Sequence, residues 1–107
     1  MKNFKSIKIS DTAKKDLKKI GEYTLKEWGI LQKKYYLDLF KHSFKTLSHT
    51  ISDDSIIPLS KPREDIDRGL LSYNVKKHIV YYRESEQEFT IIRILHSRMD
   101  PEKHLHE

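Results

Sequence analysis

The pattern of apolar and polar positions predicts two helices early in the chain and a run of strands after them. Residues 4–9 alternate Ile7 and Ile9 with polar neighbours, which is typical of a half-buried strand at a sheet edge. A stripe at steps of three and four then predicts a helix that Ser10 or Asp11 begins and Gly29 ends. The stripe consists of Ala13, Leu17, Ile20, Thr24 and Trp28.

A second helix is predicted from residue 31 to residue 50, because a wide apolar face recurs there with helical spacing. Only a few residues separate the two helices, so they are expected to form an antiparallel hairpin. The residues of the second apolar face are Leu31, Tyr35, Tyr36, Leu39, Phe40, Ser43, Phe44, Leu47 and Ile51.

The rest of the chain has the pattern of strands joined by short turns. Residues 52–69 contain Pro58, Pro62 and five acidic residues, which predicts an irregular connection. Lys76 and Lys77 mark a tight turn between the first two strands, and the polar run ESEQE joins the second to the third. The predicted strands span 70–75, 78–83 and 89–95.

This element order, β-α-α-β-β-β, predicts an α+β fold in a single domain spanning residues 1–107. The helical hairpin is expected to pack on one face of an antiparallel sheet, which the N-terminal strand extends. The opposite sheet face would then be uncovered, and we expect a partner to cover it.

Composition narrows the functional classes. Of the 107 residues, 36% are hydrophobic and 35% charged, with a net charge of +5. The excess of cations favours an anionic partner or simple solubility, and charge alone leaves both open. The absence of cysteine excludes disulfides and thiol chemistry and favours a cytoplasmic location. No apolar run is long enough for a secretory leader or a membrane span.

Polar side chains gather where the last predicted strand ends, at His96, Arg98, Asp100 and His104. Acid–base cleavage of RNA requires a proton carrier and cations that stabilise the phosphate. The candidates are His78 and His96 as proton carriers, Arg68, Arg83, Arg93 and Arg98 as phosphate cations, and Tyr81 and Tyr82 as stacking or acidic groups. Two of these cations, Arg83 and Arg93, lie on adjacent predicted strands and could share a face.

The same corner has a structural interpretation. Asp100 is expected to cap a short C-terminal helix whose first residue is Pro101, which suits the first helical position. Arg98 is then expected to pair with Asp100 or with the acidic residues at 64–67.

No metal or cofactor site is predicted. His104 and His106 lie in a terminal tail, which is seldom a rigid site. His42 and His49 lack a ligand partner at the next helical turn. The three glycines form no phosphate-binding loop, and no Ser–His–Asp arrangement can be argued.

The first predicted helix carries lysines opposite its apolar stripe, which is typical either of a solvated face or of a partner surface. Whether such a partner includes nucleic acid stays open. On charge alone, the partner-binding candidates are Lys14, Lys15, Lys18, Lys19, Arg68, Arg83, Arg93 and Arg98.

Three stretches and the polar hairpin loop together resemble the ParE branch of the RelE/ParE toxin superfamily. The likeness covers nearly the whole chain and keeps the predicted element order. The stretches are AKKDLKKIGEYTLKEWG at 13–29, PREDIDRGLLSYNVKKHIVYYR at 62–83 and IIRILHSRMDPEKHL at 91–105.

The resemblance implies the toxin of a type II toxin–antitoxin pair, a RelE/ParE-like fold and a non-enzymatic mode of action. Such a toxin binds DNA gyrase, traps its cleaved-DNA intermediate and blocks replication. The resemblance also implies a ParD-like antitoxin that wraps the toxin and covers its exposed surface.

The alternative is a RelE-like, ribosome-dependent mRNA endonuclease, for which the catalytic candidates are His96, Arg83 and Arg98. The acidic connection argues against it, because carboxylates beside a phosphate-cleaving surface oppose phosphate binding. Lys61 and Arg63 are the only cations of that connection before Arg68. Its carboxylates are Asp53, Asp54, Glu64, Asp65 and Asp67. A third possibility is an inactive relative that only binds its antitoxin.

Overall fold

A helical hairpin packed on a five-stranded sheet forms the framework of the computed structural model, which describes residues 6–49 and 60–105. The α+β fold, the hairpin and the three-stranded meander are confirmed. The elements are β1 (Ser6–Ile9), α1 (Asp11–Trp28), α2 (Ile30–His49), β2 (Lys61–Pro62), β3 (Leu71–Val75), β4 (His78–Glu84), β5 (Glu88–His96) and α3 (Pro101–His104). The predictions for Phe4, the His49 side chain, Ile51, Asp53, Asp54, Pro58 and His106 fall outside what is described.

Local capping sets the limits of α1. Ser10 is the N-cap, and its Oγ accepts a hydrogen bond from the Ala13 N–H at 3.0 Å. The same hydroxyl donates to the carbonyl of Ile92 at 2.8 Å, so the helix starts where it meets β5. Gly29 ends α1 with φ +91°, a backbone conformation that favours glycine. The two helices approach closely at Gly21, where a Cβ would lie 3.3 Å from Leu37.

The sheet has the strand order β1-β5-β4-β3-β2, and it is mixed rather than wholly antiparallel. The meander of β3, β4 and β5 is antiparallel as predicted. β1 pairs in parallel with β5, with Ile7 opposite Phe89. A parallel pair requires a long crossover, which the chain between them supplies. The sequence pattern did not predict β2, which adds an edge strand where the missing N–H of Pro62 is tolerated.

The main core lies between the helices and one face of the sheet. Two of its polar groups are satisfied inside it, because the Tyr73 hydroxyl lies 2.8 Å from the Ser43 Oγ and Thr24 donates to the Ile20 carbonyl. Its buried hydrophobic members are Ala13, Ile20, Phe40, Phe44, Leu47, Tyr73, Val75, Val80, Tyr82, Phe89, Ile91 and Ile94.

The other sheet face is covered in part by the chain itself, although the sequence predicted that it would be uncovered. A bulge in the β4–β5 ladder, where Tyr81 pairs with Arg93 but Tyr82 with Ile91, accommodates the extra residue Ile92. The chain's own segments before β3 and after β5 pack on this face. The cluster consists of Leu70, Tyr81 and Leu95, with Ile66, Ile79, Ile92 and Leu105 packed against them.

Arg93 is buried, so the expectation that it lies on a partner surface is wrong. Its guanidinium donates to both carboxylate oxygens of Asp16, at 2.8 and 3.0 Å, and to the carbonyl of His104. Asp16 also accepts from the backbone N–H of Ile94 at 2.9 Å. The Asp16 carboxylate therefore accepts a hydrogen bond from a backbone N–H of β5 that lies beyond the end of β1. Through Arg93 it also joins α1 to the C-terminal corner.

Three positions assigned to the apolar helix faces are instead exposed: Trp28, Leu31 and Tyr35. The helical residues of the core come from the first two-thirds of α1 and the second half of α2. The end of α1 and the start of α2 therefore lie beyond the part of the hairpin that packs on the sheet.

Candidate functional site

A groove of about 930 Å³ lies where the turn end of the helical hairpin, at which α1 and α2 are joined, meets the β3–β4 turn and the end of β5. We call it the basic groove. It is lined by Lys19, Ile20, Tyr23, Thr24, Trp28, Gln32, Tyr35, Tyr36, Lys76, Lys77, His78, His96, Ser97 and Arg98. The two-residue turn that forms one wall places Lys76 at φ +53°, a left-handed conformation that such hairpin turns require.

A chain of rings lies at the inner side of the basic groove. The Tyr36 hydroxyl lies 2.7 Å from Nδ1 of His78, and the rings of His78 and His96 meet edge to face at 5.3 Å. These histidines are directly paired across β4 and β5. Because the Arg98 N–H donates to Nδ1 of His96 at 3.1 Å, the neutral His96 ring carries its proton on Nε2. The groove thus gains a hydrogen-bond donor at a fixed ring.

Burial keeps His78 neutral. Desolvation, with a smaller contribution from the nearby His96, lowers the pKa of His78 to about 4. A histidine with so low a pKa is not poised to exchange protons near neutral pH. His78 therefore supports the ring chain rather than acting as the proton carrier that the sequence suggested.

The pKa of His78 predicts a loss of stability in mild acid. Its folded-state pKa lies below the unfolded value of about 6.5, so the unfolded chain binds the proton first as pH falls. We expect this group to remove on the order of 1 kcal/mol from the free energy of unfolding between pH 7.5 and pH 5. Urea unfolding at both pH values measures the change.

The matched variant is His78→Phe, which keeps a ring beside Tyr36 but cannot titrate. It should lose less stability than the wild type over the same pH interval. Equal losses in the two proteins would show that His78 is not the responsible group.

The outer part of the basic groove combines cations with exposed aromatic rings. The side chains of Lys19, Lys76, Lys77 and Arg98 are exposed, and none of the described lining residues is aspartate or glutamate. The potential in the groove is therefore positive and attracts anionic groups. The exposed rings are Tyr23 at 63%, Trp28 at 72% and Tyr35 at 51%.

Next to the groove, aliphatic side chains stand exposed around the turn between α1 and α2. We call this surface the hairpin tip, defined by Leu25, Trp28, Ile30 and Leu31. Leu31 is 82% exposed. Adjacent exposed apolar side chains of this size are typical of a surface that binds another protein.

The candidate nuclease set is not brought together. His96 and Arg98 lie at the basic groove, whereas Arg83 lies five residues along β4 from His78, about 16 Å at strand spacing. Arg83 donates to the carboxylate of Asp67 and to the carbonyl of Arg68. The Asp67 carboxylate thus pairs with Arg83. Arg98 forms no ion pair with Asp100 or with the acidic residues at 64–67, the two alternatives that the sequence predicted.

The acidic side chains of the segment before β3 are bound by groups of the same segment. Asp65 pairs with Arg63 at 3.1 Å, and Glu64 accepts from the Gly69 N–H at 3.2 Å. Tyr81 is buried on the sheet face opposite the main core, in the cluster with Leu70 and Leu95. The guanidinium of Arg63 lies over its ring, 5.9 Å from the centroid. Tyr82 is buried in the main core, and its hydroxyl is hydrogen-bonded to the Ser60 Oγ at 2.7 Å.

The remaining predicted residues are separated from the groove or structural. Lys14, Lys15 and Lys18 are exposed on α1, but only Lys19 of the four lysines lines the basic groove. Arg68 is exposed beside Asp67. At the corner, Asp100 accepts from the Glu102 N–H at 3.0 Å as the N-cap of α3, and Pro101 is the first residue of that helix.

Sequence reasoning missed the groove-lining role of Tyr23, Trp28, Tyr35, Lys76 and Lys77. Trp28 and Tyr35 fall on the helical period, which predicts that they belong to the apolar helix faces. The available signal was that Trp28 directly precedes the helix-ending Gly29, where a stripe residue has no further turn to pack against. For Lys76 and Lys77 the sequence pattern predicts only a turn.

Among the described residues, no group of three or more histidine, cysteine, aspartate or glutamate side chains is arranged to hold a metal ion. None of the described helices is both long and apolar enough to cross a membrane.

Comparison with known proteins places these features in context. Residues 7–101 match the family described as "ParE toxin of type II toxin-antitoxin system, parDE". Two curated relatives named Toxin ParE1, from Mycobacterium tuberculosis strains CDC 1551 / Oshkosh and H37Rv, are each 27% identical over 99 residues. Each alignment covers 91% of this chain and 94% of the relative. A chain of the solved "Chromosomal ParDE TA system from P. aeruginosa" shares the fold, with a TM-score of 0.68 and 17% identity over 88% of this chain and 97% of that one.

Proposed function

Because this chain belongs to the ParE toxin family of type II toxin–antitoxin systems, we propose that it arrests growth by trapping DNA gyrase in its cleaved-DNA intermediate. The match over residues 7–101 carries the proposal, since it spans both the hairpin and the basic groove. An antitoxin is the partner of a toxin of this class, and we propose that it is ParD-like.

The arrangement of the cations supports a binding toxin over the RelE-like nuclease. A nuclease centre needs its proton carriers and phosphate cations around one phosphate. Here Arg83 is held by Asp67 at a distance from His96 and Arg98, and His78 is kept neutral by burial. What remains at the basic groove is positive charge and exposed ring surface, which suits binding.

The hairpin tip supports the antitoxin proposal. An antitoxin segment with an amphipathic helix or an extended apolar strip could bury Leu25, Ile30 and Leu31 against its own side chains. Trp28 belongs to both the hairpin tip and the basic groove. An antitoxin bound at the tip is therefore expected to obstruct the groove as well.

Purified toxin incubated with gyrase and supercoiled plasmid tests the target. We expect linear DNA covalently linked to gyrase to accumulate, because a trapped cleavage intermediate releases broken DNA when the enzyme is denatured. The matched variant is Arg98→Glu, which reverses an exposed groove cation and is expected to reduce linear DNA about tenfold. Denaturation in urea checks that the variant remains folded.

The rival functions give different results. Cleavage of transcripts at codons on translating ribosomes, with gyrase unaffected, would contradict the proposal and favour the endonuclease. A folded Arg98→Glu variant with full activity would remove Arg98 from the gyrase-binding surface. Growth arrest that neither neighbouring gene relieves would count against the antitoxin proposal.

A further inference from the structure

We propose that the basic groove binds a short segment of single-stranded DNA, whose bases stack on Trp28 and Tyr35 while its phosphates contact Lys76, Lys77 and Arg98. The choice of DNA over RNA rests on the proposed function, in which the target holds cleaved DNA. The binding itself is a property of the toxin alone and does not require gyrase.

The charge of the groove is the first argument. Four exposed cations line it, and none forms an ion pair with another described residue. Elsewhere on the described surface, Arg63 and Arg83 are paired with Asp65 and Asp67. The four cations of the groove thus lie beside exposed rings and not beside carboxylates, as in sites that follow a phosphate backbone.

The exposed rings are the second argument. Trp28 and Tyr35 are more than half exposed although both lie on helices that could have buried them. Flat aromatic faces beside cations are the features with which proteins bind unpaired bases, independently of sequence. An acidic peptide satisfies the charge but gains nothing from stacking, and duplex DNA keeps its base faces inside the helix.

The fixed ring of His96 is the third argument. Its Nδ1 accepts the Arg98 N–H, which leaves the ring proton on Nε2 as a donor for a phosphate oxygen. The same hydrogen bond fixes the backbone from which the Arg98 side chain extends. A donor and a cation are thus held together at the end of β5, opposite the exposed rings of the hairpin.

Trp28 provides a direct readout because it is the single tryptophan of the chain. A short, mixed-sequence, fluorescein-labelled strand is titrated with the full-length toxin, and its polarisation is followed. The emission of Trp28 is followed in parallel with the unlabelled strand. We expect binding at least about fivefold tighter than that of the same sequence as a duplex, with quenching of Trp28.

Two variants and their controls locate the binding. Trp28→Ala is expected to weaken binding about tenfold, whereas Leu31→Ala removes exposed apolar surface outside the groove and should change it less than about threefold. Lys77→Glu with Arg98→Glu is expected to weaken binding at least about tenfold and to flatten its salt dependence. Lys41→Glu with Lys61→Glu makes the same change in net charge away from the groove and should have a small effect.

Each contrary result overturns the proposal. No binding of the single strand, or binding without quenching of Trp28, excludes the stacked arrangement. Equal effects of the two charge reversals show attraction by net charge only. Tighter binding of the RNA strand excludes the assignment to DNA, and displacement of the strand by polyglutamate at equal charge concentration favours an acidic peptide. These titrations contain no gyrase. A negative result would therefore overturn the DNA-binding proposal without affecting the proposed gyrase target, which the plasmid assay tests separately.

Discussion

Replacing Asp16 with alanine is expected to lower the free energy of unfolding by about 3–5 kcal/mol, one of the largest effects a single substitution can have in this chain. The carboxylate and the Arg93 guanidinium are each only 9% exposed and are joined by two hydrogen bonds. Removing Asp16 leaves a buried positive charge without its partner. It also removes the acceptor of the Ile94 N–H at the open edge of β5. Denaturation in urea or guanidinium, followed by circular dichroism, measures the loss.

Asp11→Ala is the matched control. It removes a carboxylate from the first turn of the same helix, but Asp11 is exposed and contributes only through the helix dipole, at most about 1 kcal/mol. Pairing Asp16→Leu with Arg93→Met should destabilise less than Asp16→Ala does, because no unpaired charge is left in the interior. If Asp16→Ala stays within about 1 kcal/mol of the wild type, the pair does not hold α1 to β5 as we argue.

This pair marks a limit of sequence reasoning. Arg93 lies in the strand run IIRILH, where its charge alone predicts a surface position. Its partner Asp16 is 77 residues earlier, among the lysines of α1. Nothing in the local pattern connects them, because the contact depends on β1 ending early and leaving the edge of β5 to the helix. The periodicity of α1 shows only that Asp16 lies beside the apolar position Leu17.

Most limits of the helices and strands could be predicted from local sequence. Helix limits at Ser10 and Gly29, and strands separated by Lys76–Lys77 and by the polar loop, depend on residues close in sequence. The direction of β1 does not, because either direction gives the same alternation of Ile7 and Ile9. Parallel pairing with β5 is decided by the path of the chain through both helices, which no short window of sequence contains.

The candidate site likewise combines residues that the sequence identifies with an arrangement that only the fold creates. Counting cations identified Lys19 and Arg98, which line the basic groove, but equally Lys14 and Arg83, which do not. Charge alone cannot distinguish a cation beside a ring from one beside a carboxylate. The groove is assembled from the hairpin, the β3–β4 turn and the end of β5, so only the fold brings its members together.

The position of Trp28 suggests how neutralisation and target binding are connected. It is exposed at the hairpin tip and also lines the basic groove. A protein segment that buries the tip would therefore cover one of the rings proposed to stack on DNA. On this basis the antitoxin would exclude the nucleic acid by occupying a shared residue, without any change in the toxin's shape.

Replacing Leu31 with aspartate is expected to weaken antitoxin binding at least about thirtyfold, which corresponds to about 2 kcal/mol, while the toxin stays folded and active. Leu31 is 82% exposed, so the fold does not depend on it. If the hairpin tip is buried by the antitoxin, the new carboxylate is desolvated without a partner at the centre of the interface. Calorimetric titration with the purified antitoxin gives the affinity, and co-expression should no longer rescue growth.

His42→Asp introduces the same carboxylate on an exposed position of α2 about three turns away and should leave antitoxin binding within about threefold. Plasmid linearisation by Leu31→Asp should match that of the wild type, because Leu31 does not line the basic groove. Retained antitoxin binding in a folded Leu31→Asp variant would place the antitoxin elsewhere. Loss of both antitoxin binding and linearisation would instead show that the hairpin tip also contacts the target. Antitoxin and gyrase would then compete for the whole apolar surface of the tip, and not for Trp28 alone.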